Sequence, residues 1–188
     1  MARVLIAEDD PVIRLDVRAL LEANQLEVCA EARDGLEAVE LAAATSPDLI
    51  VMDVRMPRLD GIAAAGRILE QRSVPIVMLT GYGQDELVER AVDAGVFAFL
   101  TKPFQEANLI SALRAARARH AEFSELQLQT RSLYEALEAR KVIERAKGIL
   151  MAKEGISEDE AFARLRRASQ NSGRPMKLIA EALSATLG

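Results

Sequence analysis

Four groups of polar residues in this sequence each follow an apolar run. Glu8, Asp9 and Asp10 follow VLIA, Asp53 follows LIVM, Thr80 follows IVML, and Lys102 comes shortly after FAFL. If these runs are parallel strands, their carboxyl ends meet at one edge of a sheet, which is where open α/β sheets build their sites. Carboxylates, a hydroxyl and an ammonium group would then lie close together, although they are far apart in the chain.

The chemistry of this set indicates phosphoryl transfer with a divalent cation. Carboxylates crowded at one edge repel one another unless a cation lies between them, and Mg2+ prefers such hard oxygen ligands. The carboxylate of Asp53 could attack a phosphorus atom and form an acyl phosphate. Phosphoryl transfer depends mainly on positioning and charge neutralisation. Mg2+ and Lys102 would supply the positive charge, and Thr80 would supply a hydroxyl.

The elements that must position these residues alternate along the first part of the chain. Apolar runs predict strands at 3–7, 27–32, 48–52, 75–79 and 97–100. Helical periodicity fills the gaps, at about 11–23, 34–45, 60–72, 84–94 and from 105 onward. Strands that alternate with helices are typical of βαβ units with right-handed crossovers. The predicted fold class is therefore α/β, with a five-stranded, doubly wound parallel sheet.

The middle of the chain is predicted to be one long connecting helix. Neither Gly nor Pro occurs from Phe104 to Lys147, and the segment is rich in strong helix formers. A partial heptad of apolar residues allows a coiled coil there, although polar residues interrupt it. Its members are Leu113, Ala116, Phe123, Tyr134 and Leu137.

The end of the chain has three short segments, each with one apolar stripe at helical spacing. They cover about 139–153, 157–171 and 175–186. Ser157 with Glu160 forms a capping-box pattern at the start of the second. Such helices suit an all-α three-helix bundle. The predicted organisation is a domain over 1–119, a helical linker over 120–138 and a bundle over 139–188.

Composition separates the two ends and excludes some classes of function. Residues 1–119 carry 13 Lys and Arg against 19 Asp and Glu, whereas residues 140–188 carry 10 against 6. The basic end favours a nucleic-acid partner. The bundle lacks His, Cys and a glycine-rich phosphate loop, so we do not expect an output enzyme there. A single cysteine, acidic residues from position 8 and the lack of a long apolar run favour a cytoplasmic protein without a membrane span.

Residues 1–120 resemble the receiver domain of response regulators. The resemblance rests on VLIAEDD, VMDVRMP, MLTG and FLTKPF. It implies a flavodoxin-like fold that supports only Mg2+-dependent self-phosphorylation from a phosphodonor and self-dephosphorylation. Asp53 would be the phospho-acceptor, with a phosphohistidine on a sensor histidine kinase as donor. The implied Mg2+ ligands are Asp9, Asp53, the backbone carbonyl of Arg55, and Glu8 through a water.

The same resemblance assigns residues that respond to the phosphoryl group. Thr80 would be the switch hydroxyl, Lys102 the partner of the phosphate, and Phe99 the aromatic switch position. The Lys102–Pro103 peptide bond would be cis. Arg55 and Tyr82 flank the site, and we expect them to tune how long the phosphate survives.

The bundle has two nucleic-acid interpretations. AKEGISEDEAFARLRR resembles a DNA-binding helix-turn-helix, but its second helix begins with Glu158, Asp159 and Glu160. Those carboxylates would be repelled by DNA at the end that enters the major groove. VIERAKGILMAKEGISEDEAFARLRRASQNSGRPMKLIAEAL more closely resembles the ANTAR domain, the RNA-binding module of antiterminator response regulators. The matching positions are Ala146, Gly148, Met151, Ser157, Ala161, Leu165, Arg166, Ala168 and Ala180.

The ANTAR resemblance implies RNA stem-loops in messenger leaders as the partner and transcription antitermination as the outcome. The RNA-binding candidates are the basic side chains Arg145, Lys147, Arg164, Arg166, Arg167, Arg174 and Lys177. We therefore expect a two-component response regulator in which phosphorylation favours a homodimer or frees the bundle, and so controls RNA binding. The alternatives are a receiver-controlled DNA-binding transcription factor and a partner-binding module without nucleic acid.

Overall fold

The first part of the chain folds around a five-stranded parallel sheet. The computed structural model describes residues 1–81, 96 and 98–187. The strands are β1 (Arg3–Ala7), β2 (Glu27–Ala32), β3 (Leu49–Asp53), β4 (Ile76–Thr80) and β5 (Ala98–Thr101). Their order in the sheet is β2-β1-β3-β4-β5, and every neighbouring pair is parallel. The predicted α/β class with a doubly wound parallel sheet is confirmed.

Helices cover both faces of this sheet. They are α1 (Pro11–Ala23), α2 (Gly35–Thr45), α3 (Gly61–Gln71) and the beginning of α4 (Glu106–Glu154). The predicted helix at 84–94 lies outside the described residues. Alternate side chains of β3 enter two different cores, since Ile50 and Met52 pack with α2 and α3 while Leu49 and Val51 pack with α1 and α4. Burial on both faces explains why β3 is a continuous apolar run.

Aspartate side chains fix the starts of the helices that follow β1, β2 and β3. Asp10, Asp34 and Asp60 are the N-cap residues of α1, α2 and α3, and each carboxylate accepts hydrogen bonds from the first turn of its helix. Such caps satisfy backbone N–H groups that have no partner within the helix. They therefore determine where each strand-to-helix connection ends.

The helix α4 is continuous over 49 residues. The predicted separate helix beginning near residue 139 is therefore wrong, because nothing in the chain interrupts the backbone before Gly155. Leu113 and Ala116 of the predicted heptad are buried in the core beneath the sheet and cannot join a coiled coil. Phe123, Tyr134 and Leu137 are exposed. The chain divides into two compact units, Met1–Ser124 and Glu125–Gly188.

The second unit is a small helical domain built from the end of α4, α5 (Glu158–Ser172) and α6 (Met176–Leu187). Its core is aliphatic and consists of Ala146, Leu150, Ala161, Leu165 and Ala180. Ser157 and Glu160 form the predicted capping box at the start of α5. Gly155 and Gly173 adopt positive φ at the two turns, a conformation that glycine reaches without a steric penalty. None of the helices in the described parts of the chain has the length and apolar character needed to cross a bilayer.

Candidate functional site

The carboxyl edge of the sheet brings together the polar residues that follow the strands. Glu8 follows β1, Asp53 ends β3, Thr80 ends β4, and Lys102 follows β5. Carboxylate oxygens of Glu8, Asp9 and Asp53 all lie within 4.8 Å of one another. The parallel register produces this meeting, because β1 and β4 flank β3 on its two sides. The strand ends are thus neighbours in space, as the apolar runs indicated.

Lys102 is the cation of this cluster. Its Nζ lies 2.6 Å from Oδ1 of Asp53 and 2.6 Å from Oε2 of Glu8. Only 1% of Glu8 and 7% of Asp53 is exposed. Because charges separated from water interact more strongly than exposed ones, the two ion pairs hold both carboxylates against the ammonium group. The site therefore contains an acidic pair that shares one positive charge.

This environment raises the pKa values of Glu8 and Lys102. Burial raises the pKa of Glu8, and the nearby charge of Asp53 adds to the rise, although Lys102 opposes it. Burial also acts to lower the pKa of Lys102, but its hydrogen bonds to Asp53 and Glu8 outweigh that effect and raise the value. Lys102 therefore keeps its positive charge beside Asp53, while Glu8 binds a proton more readily than an ordinary glutamate.

The three consecutive acids have different roles. Oδ1 of Asp10 accepts hydrogen bonds from the backbone N of Val12 at 2.8 Å and of Ile13 at 3.3 Å, so this carboxylate caps α1. The side chain of Asp9 is exposed and belongs to the carboxylate cluster. Arg14 holds the backbone of Glu8, because its Nη1 donates to the Glu8 carbonyl at 2.7 Å. Asp10 thus serves the helix, whereas Glu8 and Asp9 belong to the carboxylate cluster.

Close backbone packing positions Asp53. Its Oδ2 accepts a hydrogen bond from the backbone N of Arg55 at 2.9 Å. The backbone N of Gly61 donates to the Val54 carbonyl at 2.8 Å, which draws the start of α3 against the end of β3. Gly61 is not among the residues that the sequence predicted for the site. The feature that could have revealed it is a glycine at the first position of a helix, directly after the capping Asp60.

The predicted switch residues occupy β4 and β5, which pair side by side. Thr80 is 5% exposed, and its carbonyl accepts a hydrogen bond from the backbone N of Lys102 at 2.7 Å. Phe99 is half-buried and packs against the core shared with α2 and α3. The Lys102–Pro103 peptide bond is cis, as the receiver resemblance implies. Tyr82 lies outside the described residues.

Lys147 differs from the other basic residues of the second unit because it is buried. Its side chain is 9% exposed, and its Nζ lies 2.9 Å from Oε1 of Glu144 and 2.6 Å from Oε1 of Glu158. The ring centroid of Phe162 is 6.0 Å from the same nitrogen. Lys147 is one of the predicted RNA contacts. In the structure its ammonium group pairs with Glu144 of the same helix and with Glu158 of α5, so it links the two helices.

The remaining basic candidates divide by whether they already form ion pairs. Arg164 pairs with Glu154, and Lys177 lies 3.9 Å from Glu181. Four arginines are exposed and form no ion pair with any residue that the structure describes. They are Arg145, Arg166, Arg167 and Arg174. Among the predicted RNA contacts, these four keep an exposed positive charge for a polyanionic partner.

The fold and the acidic edge define a receiver, and comparison with known families agrees. The response regulator receiver domain matches residues 4–114, and the ANTAR domain matches residues 131–183. The chain therefore belongs to the two-component response regulators that join an N-terminal receiver to a C-terminal ANTAR domain. This architecture is that of a regulator rather than of a catalytic enzyme, and it implies a phosphodonor kinase and RNA as classes of partner.

Two curated relatives show how far the similarity extends. The transcriptional regulatory protein PdtaR of Mycobacterium tuberculosis (strain ATCC 25618 / H37Rv) is 48% identical over 186 residues, which cover 99% of this chain and 91% of the relative. The transcriptional regulatory protein LiaR of Bacillus subtilis (strain 168) is 41% identical over 118 residues, covering 62% of this chain and 56% of the relative. Similarity to the first thus includes both units.

Solved structures match the first unit. A two-component response regulator of the LuxR family from Aurantimonas sp. SI85-9A1 superimposes with a TM-score of 0.60 at 32% identity, covering 63% of this chain and 86% of that one. The receiver domain of the Francisella response regulator 1452 gives a TM-score of 0.58 at 31% identity, covering 63% of this chain and 98% of that one. These matches support the flavodoxin-like receiver fold.

Proposed function

We propose that Asp53 accepts a phosphoryl group from a phosphohistidine on a sensor histidine kinase, and that this modification controls RNA binding and transcription antitermination. Residues 1–119 would be the phospho-acceptor domain, 120–138 the helical linker, and 139–188 the RNA-binding domain. The observation that carries the proposal is the pairing of Asp53 with Lys102 at 2.6 Å inside a cluster of carboxylates. An acceptor with an adjacent fixed cation is suited to phosphoryl transfer.

The groups that the chain itself contributes to the transfer lie together in the site. A carboxylate oxygen of Asp53 attacks the phosphorus, a new O–P bond forms, and the P–N bond to the donor imidazole breaks. The hydrogen bond from Arg55 N to Oδ2 keeps the carboxylate in place. The ammonium of Lys102 stabilises negative charge on the phosphoryl oxygens. The product is an acyl phosphate on Asp53.

The donor set also fits Mg2+. Asp9 and Asp53 would be direct carboxylate ligands, Glu8 a ligand through a water, and the backbone carbonyl of Arg55 a further oxygen ligand. The proximity of the three carboxylates, within 4.8 Å, supports this assignment, since Mg2+ sites usually combine one or two carboxylates with waters and phosphate oxygens. Bound there, the ion would neutralise charge on the acidic edge and on the transferring group.

The signal would leave the site through β4 and β5. A phosphoryl group on Asp53 draws the hydroxyl of Thr80 and the ammonium of Lys102 towards it, and Phe99 on the neighbouring strand follows. Phosphorylation then acts by shifting the population between two arrangements of this face. Arg55, which is exposed beside the site, would influence how long the phosphate survives.

The acidic N-terminal end of α5 favours RNA over DNA as the output partner. The helix begins with Glu158, Asp159 and Glu160, so its N-terminal end is acidic and unsuited to the major groove. The unpaired arginines lie elsewhere in the unit and can meet the phosphates of a folded RNA. A phosphorylation-dependent homodimer would present two such units to a pair of stem-loops. The exposed Leu126, Leu133, Tyr134 and Leu137 of the linker support self-association.

The experiment compares wild type with Asp53→Asn, each with and without acetyl phosphate and Mg2+. Affinity for leader-derived stem-loop RNA is measured by filter binding at fixed salt. We expect wild type to respond to the phosphodonor and the variant to show the same affinity in both conditions. An equal response of both proteins would contradict the phosphate switch. Preference for promoter duplex, or binding that is independent of salt, would instead favour the DNA-binding or the protein-binding alternative.

A further inference from the structure

A groove of about 480 Å³ runs along α5 in the second unit. It is lined by Ile156, Glu160, Arg164, Arg167, Ala168 and Asn171. Residues spaced by three, four or seven positions share one face of a helix, which explains why the residues from Glu160 to Asn171 meet. The face adjoins the buried stripe of Ala161 and Leu165. The groove is therefore an open surface feature with two apolar side chains, those of Ile156 and Ala168, and a rim of four polar ones.

Two of the charged groups on the rim are already engaged. Oε2 of Glu160 accepts hydrogen bonds from the backbone N of Ser157 at 2.9 Å and from its hydroxyl at 3.1 Å. Arg164 is paired with Glu154. Among the residues that the structure describes, neither Arg167 nor the side-chain amide of Asn171 has a hydrogen bond or an ion pair. A guanidinium plane and an amide with both donors and an acceptor thus face the groove.

From these groups we infer that the groove receives one unpaired nucleobase of the RNA. The inference rests on the proposed RNA-binding function and names the part of the RNA that is read. Proteins hold splayed-out bases by stacking them on aromatic rings or arginine planes and by hydrogen bonding to their edges. Arg167 supplies such a plane, Asn171 such an edge partner, and Ile156 and Ala168 the apolar contact. A volume of about 480 Å³ lies within the usual range for small-ligand sites.

A backbone phosphate fits the same groove less well. Oε1 of Glu160 has no partner among the described residues and would repel a phosphate, whereas it can accept a hydrogen bond from the amino group of a base. The apolar side chains of Ile156 and Ala168 also contribute nothing to phosphate binding. Arg166, which immediately precedes Arg167 in α5, does not line the groove and is the better candidate for phosphate contact. The groove and Arg166 therefore have separable roles.

The test uses the full chain with Mg2+ and acetyl phosphate. A hairpin is selected from an RNA library with a fixed stem and a randomised loop, and each loop nucleotide is then replaced by an abasic one. We expect one abasic position to weaken binding to wild type by about tenfold, the usual order for one specific base contact. Asn171→Ala should weaken binding to the intact hairpin by a similar factor. It should bind that abasic hairpin no more weakly than wild type does.

Gln170→Ala is the matched control, because Gln170 is an exposed neighbour on α5 outside the groove. It should bind both hairpins as wild type does, and thermal unfolding should be the same for all three proteins. If the affinity losses from Asn171→Ala and from the abasic nucleotide multiply at every loop position, the two changes act independently. The proposed base site would then be wrong, although the protein would still bind RNA. If no hairpin is selected by the phosphorylated chain, the proposed function and the inference both fail.

Discussion

A Cβ atom added to Gly61 would lie 2.0 Å from the backbone carbonyl oxygen of Asp53. Real Cβ atoms do not approach so closely, and a backbone atom cannot move aside as the end of a flexible side chain can. The glycine therefore allows α3 to begin directly against the strand that carries the proposed phospho-acceptor. The position of Asp53 relative to Lys102 depends on this close approach.

We predict that Gly61→Ala displaces Asp53 and slows phosphorylation. The forced backbone shift should cost about 1–3 kcal/mol in the free energy of unfolding, as is usual for overpacking. Urea unfolding and phosphorylation by radiolabelled acetyl phosphate measure the two effects. Gly66→Ala is the control, because Gly66 lies in the same helix with open space around it. It should raise stability by about 0.5–1 kcal/mol, and an equal effect of both substitutions would contradict the prediction.

Glu8 should make the receiver less stable as the pH rises. Burial raises its pKa above the ordinary value of 4.5, so the folded chain holds this proton more tightly than the unfolded chain. Its contribution to stability is fully present below pH 4.5 and is lost as the pH rises through the raised pKa. In Mg2+-free buffer, Glu8→Gln should therefore gain stability relative to wild type over that interval. Glu70→Gln, on the exposed side of α3, controls for the loss of one charge, and parallel pH profiles for Glu8→Gln and wild type would exclude the effect.

The second unit should show the opposite dependence on pH. The hydrogen bond and charge of Lys147 lower the pKa of Glu158 below 4.5. The stabilising contribution of Glu158 is therefore present above its ordinary pKa and is lost as the pH falls through its lowered pKa. Glu158→Gln should lower the thermal unfolding midpoint at neutral pH. The midpoint of this variant should also fall less than that of wild type as the pH is lowered. Asp159→Asn removes a charge from the same helical turn without touching Lys147, and an identical effect of both variants would argue against the ion pair.

Lys147 and Arg166 should affect RNA binding differently. Arg166→Gln should weaken binding to all sequences alike and reduce the slope of log affinity against log salt by about one, as expected when one phosphate contact is lost. Lys147→Gln should lower the unfolding midpoint, because Glu144 and Glu158 lose their cation, while the salt slope of the folded protein stays unchanged. Filter binding over a range of salt concentrations measures both slopes. A reduced slope for Lys147→Gln would mean that this side chain reaches the RNA.

The arrangement at the sheet edge could be predicted because strand register and strand order leave little freedom. An apolar run that is buried on both faces must lie inside the sheet, so the polar residue that follows it must lie at the edge. Glu8, Asp53 and Lys102 meet for this reason. Asp10 could not be separated from Asp9 by this argument, because an aspartate can either cap a helix or belong to a site at the strand ends, and the local geometry of the chain decides between the two.

Two other features could not be predicted from the pattern of residues. The apolar stripe over 139–153 suggested a separate helix, but a stripe does not show where a helix begins, and α4 continues without a break to Glu154. Lys147 looked like any other basic residue of the bundle. Its partner Glu158 lies on a different helix, and only the packing of α4 against α5 shows that this charge is neutralised within the protein.

Glu8 and Lys102, which form one ion pair, are separated by 94 positions in the chain. Contacts between residues so far apart in the chain carry the entropic cost of closing a long loop. A growing chain that has passed Asp53 but not Lys102 contains the proposed acceptor without its counter-ion. If Asp53 is the acceptor, competence to receive a phosphoryl group would arrive only after the last strand of the sheet has been made.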